Sequence, residues 1–306
     1  MLLQTSPTGT STLTTPEERM FFIRCLEDRL QELCLQGLGG DLHFSKGQEA
    51  IPVGVMAALR PSDYAVTHHR TIAHAIAKGV PLRPLLAELL GKASGLNGGL
   101  AGEMHMTCPE MRFMFTFQLV GTCVPVAAGL AWAVKHHLKT DDIVVCFHGD
   151  AATANGQWHE GMNIAAVQKL PILFVCENNG VAGNVKADRY IPTEHVSQRA
   201  MAYGIEAQVV DGCDVDAVHG EASEAARYVR DRHLPFFLVC DTVRLGRHKQ
   251  GMGDLRTQEE LMILSRRDPM RSILIDRTRE QRIRAEIDAA IEEVQGWPES
   301  ALPQEG

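Results

Sequence analysis

The sequence predicts an α/β chain: a mostly parallel sheet with helices on both faces, followed by a helical C-terminal extension. Three observations carry this. The β-type runs 143–147 and 172–176 flank a helical stretch, 158–168, and together they form a β-α-β unit. Such a unit is parallel and right-handed. Further strand candidates at 63–67, 209–210 and 236–240 are interleaved with helical patterns along the chain. Finally, 306 residues that are 45% hydrophobic suffice for one large α/β core.

In chain order, residues 1–14 read as a disordered N-terminus. Thr15 can cap a helix that Pro16 begins, with Glu18 completing a capping box. Met20, Ile23, Leu26 and Leu30 give that helix its apolar side, and it should stop near Gly37. A glycine-containing loop then carries His43 into a second helix at about 48–59. The strand 63–67 delivers His68, His69 and Arg70, and 82–90 is helical. Residues 92–117, rich in Gly and Met without a clear period, read as an irregular functional loop. Helix 124–137 leads into the β-α-β unit, and another irregular stretch runs to about 193. Helix 215–231 separates the last two strands, and 244–256 is a basic, Gly-containing loop. Thr257 and Glu260 form a second capping box, Asp268-Pro269 starts a further helix, and the amphipathic helix 280–295 ends at Gly296. The expected division is an α/β domain over 15–265 and the helical extension over 266–306, with no internal repeat.

Composition excludes several classes of function. A net charge of −8 argues against general binding to nucleic acid or anionic membranes. Eight scattered cysteines with no Cys-x-x-Cys pair match a reducing cytoplasm. The longest apolar region, around 123–134, is too short to span a bilayer, and no signal peptide is evident. No strand is followed by Gly-x-Gly-x-x-Gly, and no Gly-x-x-x-x-Gly-Lys-Ser/Thr occurs, so nicotinamide dehydrogenases and P-loop enzymes fit poorly. His159 to Asn163 is not a zinc motif, because its fifth residue is Asn rather than His.

The β-α-β unit holds the informative chemistry. One strand stops at Gly149-Asp150-Ala151-Ala152 and the other at Glu177-Asn178-Asn179. Parallel strands put both ends at one edge of the sheet, so Asp150 and Asn179 share a crevice. A carboxylate and an amide oxygen there suit a hard divalent cation that keeps positions open for phosphate oxygens.

This spacing resembles the thiamine-diphosphate motif, in which Gly-Asp-Gly precedes Asn-Asn by about thirty residues. Gly156, Glu160, Asn163, Lys169-Leu170-Pro171 and Glu177-Asn178-Asn179 narrow the resemblance to the α subunit of 2-oxoacid dehydrogenase first components, the pyruvate, branched-chain and acetoin enzymes. It extends over roughly residues 18–290: His43 with Gly47-Gln48-Glu49-Ala50, Arg70 at the end of its strand, Gly98-Gly99 with Met104-His105, Gln118 to Gly121, and Arg244 with His248. Departures are Ala151 for the second glycine of Gly-Asp-Gly, His69 for Tyr, Glu103 for Ser, Gln118 for Gly, and Lys249 for a serine that some members phosphorylate.

The resemblance implies a thiamine-diphosphate-binding fold with thiamine diphosphate and Mg2+ as cofactors. It places cofactor contacts at His69, Arg70, Val120, Gly149, Asp150, Ala151, Ala152, Asn179, Val181, Arg244 and His248. Asp150, Asn179 and the Val181 carbonyl would hold the metal, and His43 and His248 are the catalytic candidates. It further implies decarboxylation of a 2-oxoacid and acyl transfer to a lipoyl carrier. The partners would be a β subunit supplying the catalytic glutamate in an α2β2 heterotetramer, and a lipoyl-bearing acyltransferase. A carboligase using the same cofactor, and a non-catalytic scaffold, are the alternatives that the departures raise.

Overall fold

The computed structural model describes residues 13–193 and 195–301. The expected disordered N-terminus lies outside these, except for Leu13 and Thr14. Ten α-helices and eight strands occur among the described residues. The chain opens with α1 (Pro16–Leu35), α2 (Ala50–Ala57), β1 (Tyr64–His68), α3 (Ile72–Lys78), α4 (Leu82–Leu89) and β2 (Phe113–Phe117). Its middle comprises α5 (Cys123–Ala133), β3 (Val144–Gly149), α6 (Gly156–Val167), β4 (Ile172–Asn178) and the short hairpin β5 (Val181–Ala182) with β6 (Val185–Lys186). It closes with α7 (Ser197–Met201), β7 (Glu206–Asp211), α8 (Val215–Arg232), β8 (Phe236–Asp241), α9 (Gln258–Leu264) and α10 (Arg277–Gln295).

Six strands form one sheet in the order β2-β1-β3-β4-β8-β7, and every pairing in it is parallel. Alternation along the strands divides the core in two. Val145, Phe147, Leu173, Val175 and Leu238 face α1 to α4, α8 and α10, while Val144, Cys146, Ile172, Phe174 and Val239 face α5, α6 and α7. Both faces are therefore covered, as all-parallel sheets require. Ile283, Ile287 and Ile291 bring α10 into the first of these clusters. On the other face α5 and α6 approach so closely that a Cβ at Gly161 would lie 2.8 Å from Val124 Cγ1.

Several expectations are corrected. The stretch 92–117 is not wholly irregular, because its last five residues form β2 and pair with β1 across a register shift. Helix α3, directly after Arg70, was not anticipated. Asp268 does act as a cap, but the segment it caps, Pro269–Ser272, is only a 3-10 turn and not an α-helix. Thr15 caps α1 as expected, yet Glu18 accepts from the N–H of Thr14, one residue earlier than a capping box requires. Its carboxylate also pairs with Arg279, which ties α1 to α10. The box at Thr257 and Glu260 is complete.

The chain runs outward from β1 to β2, then returns to place β3 on the other side of β1. The strand order therefore reverses between β1 and β3, and the crevice beyond their carboxyl ends is where such sheets bind ligands. Register sets Gly149 beside Glu177 and Asn178 beside Asp241, so the ends of β3, β4 and β8 lie level at that edge.

Candidate cofactor and metal site

A cavity of about 190 Å3 opens at this edge. His69, Arg70, Val120, Gly149, Asp150, Ala151, Ala152, Asn179, Val181, Arg244 and His248 all line it. His43 stands behind the wall, its ring centroid 4.7 Å from that of His69 and 5.1 Å from that of His248.

Asp150 follows β3 directly and begins a 3-10 turn, Asp150–Ala154. It is 2% exposed, and burial pushes its carboxyl above the usual range. The Tyr190 hydroxyl donates to Asp150 Oδ2 at 2.6 Å. Across the crevice, Asn179 Oδ1 accepts the N–H of Val181 at 3.1 Å, and Asn179 Nδ2 donates to Gln48 Oε1 at 2.7 Å. A buried carboxylate beside an amide oxygen is the hard-oxygen donor set that a divalent cation fits. Ala151 does not adopt positive φ, so a side chain is accommodated where the resembling motif has glycine.

Two buried guanidinium groups line the same cavity. Arg70 is 3% exposed and donates to the carbonyls of Phe44 and His248. Arg244 is 1% exposed and donates to the Gly183 carbonyl at 2.6 Å, while its Nε is buried without a hydrogen-bond partner. No ion pair to a carboxylate involves either arginine among the described residues. Burial, with Arg70 and Arg256 nearby, pulls the Arg244 guanidinium down to about 9. Buried charge without a direct ion pair is costly. An anion with several oxygens, such as a diphosphate, would relieve it.

A polar frame supports the floor. Glu177 Oε2 accepts from Gln48 Nε2 at 3.2 Å and lies 3.0 Å from His68 Nε2, and Glu177 Oε1 lies 2.7 Å from His74 Nε2. Burial opposes ionisation of Glu177, but the two imidazoles outweigh it and hold the carboxyl well below the usual range. His68 Nδ1 accepts the N–H of Arg70, which leaves Nε2–H to donate to Glu177. His148 Nδ1 donates to the Gly149 carbonyl and Nε2 accepts from Trp158, and burial pulls this imidazole down to about 4.

At the other end, His43 is joined to Glu103, a buried residue whose Oε2 accepts the His43 N–H at 2.9 Å and lies 3.0 Å from Nδ1. Burial, with Arg70 and His248, pulls His43 down to about 3; burial and Arg70 pull His248 to about 4. Burial lifts Glu103 well above the carboxylate range. Gln118, His105, Glu160 and Asn163 are exposed and outside the cavity lining. Sequence reasoning did not single out Tyr190 or His68 as site residues, and Gln48 and Glu177 entered it only as motif members. Tyr190 carries no local signal, whereas the motif positions of Gln48 and Glu177 could have found them.

A doubly wound parallel sheet that sets hard oxygens against unpaired buried arginines at its switch point defines an α/β protein built for a metal-bound phosphorylated cofactor. The chain belongs to the dehydrogenase E1 component family, whose model matches residues 17–301. That family comprises thiamine-diphosphate-dependent first components of 2-oxoacid dehydrogenases. The chain is 38% identical over 235 residues to the α subunit of acetoin:2,6-dichlorophenolindophenol oxidoreductase of Bacillus subtilis, covering 76% of this chain and 70% of that one. It is 39% identical over 248 residues to the pyruvate dehydrogenase E1 component subunit α of Zymomonas mobilis, covering 79% and 69%. The acetoin oxidoreductase α subunit of Cupriavidus necator is 32% identical over 308 residues, which is 96% of this chain and 92% of that relative.

Proposed function

We propose that this chain is the α subunit of a thiamine-diphosphate-dependent enzyme that decarboxylates a small 2-oxoacid and passes the acyl group to a lipoyl carrier. The observation that carries this reading is the pair of buried arginines without a direct ion pair, Arg70 and Arg244, lining one cavity with Asp150 and Asn179. Thiamine diphosphate, when bound, supplies the carbanion-stabilising chemistry that lets a 2-oxoacid lose carbon dioxide.

The protein's part is to hold and orient. Asp150, Asn179 and the Val181 carbonyl would hold Mg2+, and Tyr190 fixes the Asp150 carboxylate. Arg70 and Arg244 would bind the diphosphate, with Gly149, Ala151 and Ala152 shaping the wall. The Val120 backbone, which lines the cavity, would meet the aminopyrimidine. His69 and His248 line the cavity with His43 packed against both rings, and burial keeps His43 and His248 neutral at pH 7, so His248 would meet substrate directly and His43 would act through it.

The α-subunit relatives support a β partner, here proposed to complete an α2β2 assembly and to supply the catalytic glutamate. Apolar side chains left exposed on α5 and α6, among them Trp132, Ile164 and Val167, suit such a partner. All eight cysteines are free, which supports the cytoplasm as the compartment, and no described helix is long and apolar enough to cross a membrane. The names of the relatives favour this reading over a carboligase or a scaffold.

The test is calorimetric titration of thiamine diphosphate with Mg2+ into the chain with its β partner, for wild type and Asp150→Ala. Metal-dependent binding that the variant loses supports the reading, and lipoamide-dependent acylation then identifies the acceptor. No binding by a folded wild-type complex overturns it.

A further inference from the structure

We propose that His43, His69 and His248 form a second cation site, one that takes a first-row transition ion of the Zn2+ class. The three come from separate segments: the loop after α1, the end of β1, and the basic loop 244–256. They nevertheless close a triangle, with ring centroids 4.7, 5.1 and 5.5 Å apart. One nitrogen from each lies within 4.8 Å of the other two. Zinc–nitrogen bonds of about 2.0–2.1 Å in tetrahedral geometry bring such donors to about 3.3 Å of one another. Small rotations of the rings, moving each donor by about 1 Å or less, close the gap.

The surroundings match what imidazole ligands need. A ligating histidine ordinarily donates its second ring N–H to a carboxylate, which fixes the tautomer and raises its basicity. Glu103 stands in that position: it lies 3.0 Å from His43 Nδ1 and leaves Nε2 as the atom His43 can offer. His248 Nδ1 is buried and has no hydrogen-bond partner. Burial holds all three imidazoles neutral, so their lone pairs are available at pH 7. The Arg70 guanidinium opposes a cation here, and Glu103, which burial keeps protonated, answers that charge only by giving up its own proton as the ion binds. His69 and Glu103 are also two of the positions at which this chain departs from the pattern it otherwise resembles. A tyrosine and a serine there would leave two imidazoles and no supporting carboxylate.

The other histidine–carboxylate cluster lacks these properties. In the group of His68, His74 and Glu177, both nitrogens of His68 are already engaged and both Glu177 oxygens are taken up by imidazoles. Imidazole donors select zinc-like ions and not Mg2+, which prefers the oxygens of Asp150 and Asn179. The two sites are thus chemically distinct. His69 and His248 both line the cofactor cavity, so an ion held between them borders it and has a fourth position open.

The test needs no thiamine diphosphate and does not rest on the proposed function. The metal-free full-length chain is titrated with Co2+ in excess Mg2+, following the visible d–d absorption of four-coordinate Co2+, and Zn2+ is then added as competitor. About one equivalent of Co2+ is expected, displaced by Zn2+. His69→Tyr and His248→Ala should abolish the band, and Glu103→Gln should weaken binding by about 10–100-fold. Asp150→Ala should leave it unchanged. Circular dichroism establishes that each variant is folded, and His69→Tyr carries the test if His248→Ala does not fold. Absence of a saturable equivalent in wild type, or an undiminished band in folded His69→Tyr, overturns the proposal.

Discussion

Replacing Glu88 by glutamine removes two of the four backbone contacts that hold the glycine-rich loop after α4. Glu88 is 1% exposed, and its Oε2 accepts the N–H groups of Asn97 (2.6 Å) and Gly99 (2.9 Å). Its Oε1 accepts those of Ala101 (2.8 Å) and Gly102 (2.9 Å). A glutamine keeps one oxygen, but its NH2 then faces two N–H donors. Hydrogen bonds to a charged group contribute about 1.5–3 kcal/mol each, so the loss of two has a ceiling of about 3–6 kcal/mol. Water reaches these part-buried donors once the loop opens, which reduces the expected cost to about 3 kcal/mol. That is a large share of the roughly 5–15 kcal/mol by which a protein is stable. The consequence reaches the cavity, because the loop runs into Glu103 and Glu103 holds His43. Urea unfolding should show a lower midpoint at unchanged slope, and limited proteolysis should cut faster within 95–103. A cost below about 1 kcal/mol with unchanged cleavage would refute the view that this carboxylate organises the loop.

Three further outcomes are expected. Gly47 has φ +96, and a Cβ there would press on the Val243 carbonyl and lie 2.9 Å from Leu245 Cγ, so Gly47→Ala should lose about 2 kcal/mol or more, read by urea unfolding. Arg244→Met should leave the melting temperature of the cofactor-free protein unchanged or higher, because it removes an unpaired buried charge. It should also weaken thiamine diphosphate binding by about 10–100-fold, and a marked fall in the cofactor-free melting temperature would count against the argument. For His148, folded and unfolded states are both neutral above about pH 6.5. As the pH falls from 6.5 to about 4, the unfolded chain takes a proton that the buried ring refuses, so stability declines. The slope reaches about 1.4 kcal/mol per pH unit, about 3 kcal/mol in all. His148→Gln keeps an acceptor for Trp158 and should flatten that slope in urea unfolding between pH 4 and pH 7.

Local rules made much of the architecture legible. Thr15, Pro16, Thr257 and Glu260 mark helix starts because capping depends on residues three or four apart. The β-α-β unit is readable because apolar runs of strand length enclose a helical stretch, and parallel pairing then forces Asp150 and Asn179 to one edge. β2 escaped detection because five residues next to a glycine- and methionine-rich stretch carry too little pattern, and their strand identity depends on pairing with β1.

The sequence by itself determined the class of the sheet, the edge at which the oxygen donors gather, and eleven of the nineteen residues that line the cavity there. Only the tertiary structure decided which side chains meet behind that lining. Tyr190 reaches Asp150 across 40 positions, Glu103 reaches His43 across 60, and His68 reaches Glu177 across 109. These contacts arise from the placement of β1 beside β3 and from the loops packed over the strand ends. Hydrophobic periodicity records which face of an element is buried, not which distant element covers it, so these pairings became visible only in the folded chain.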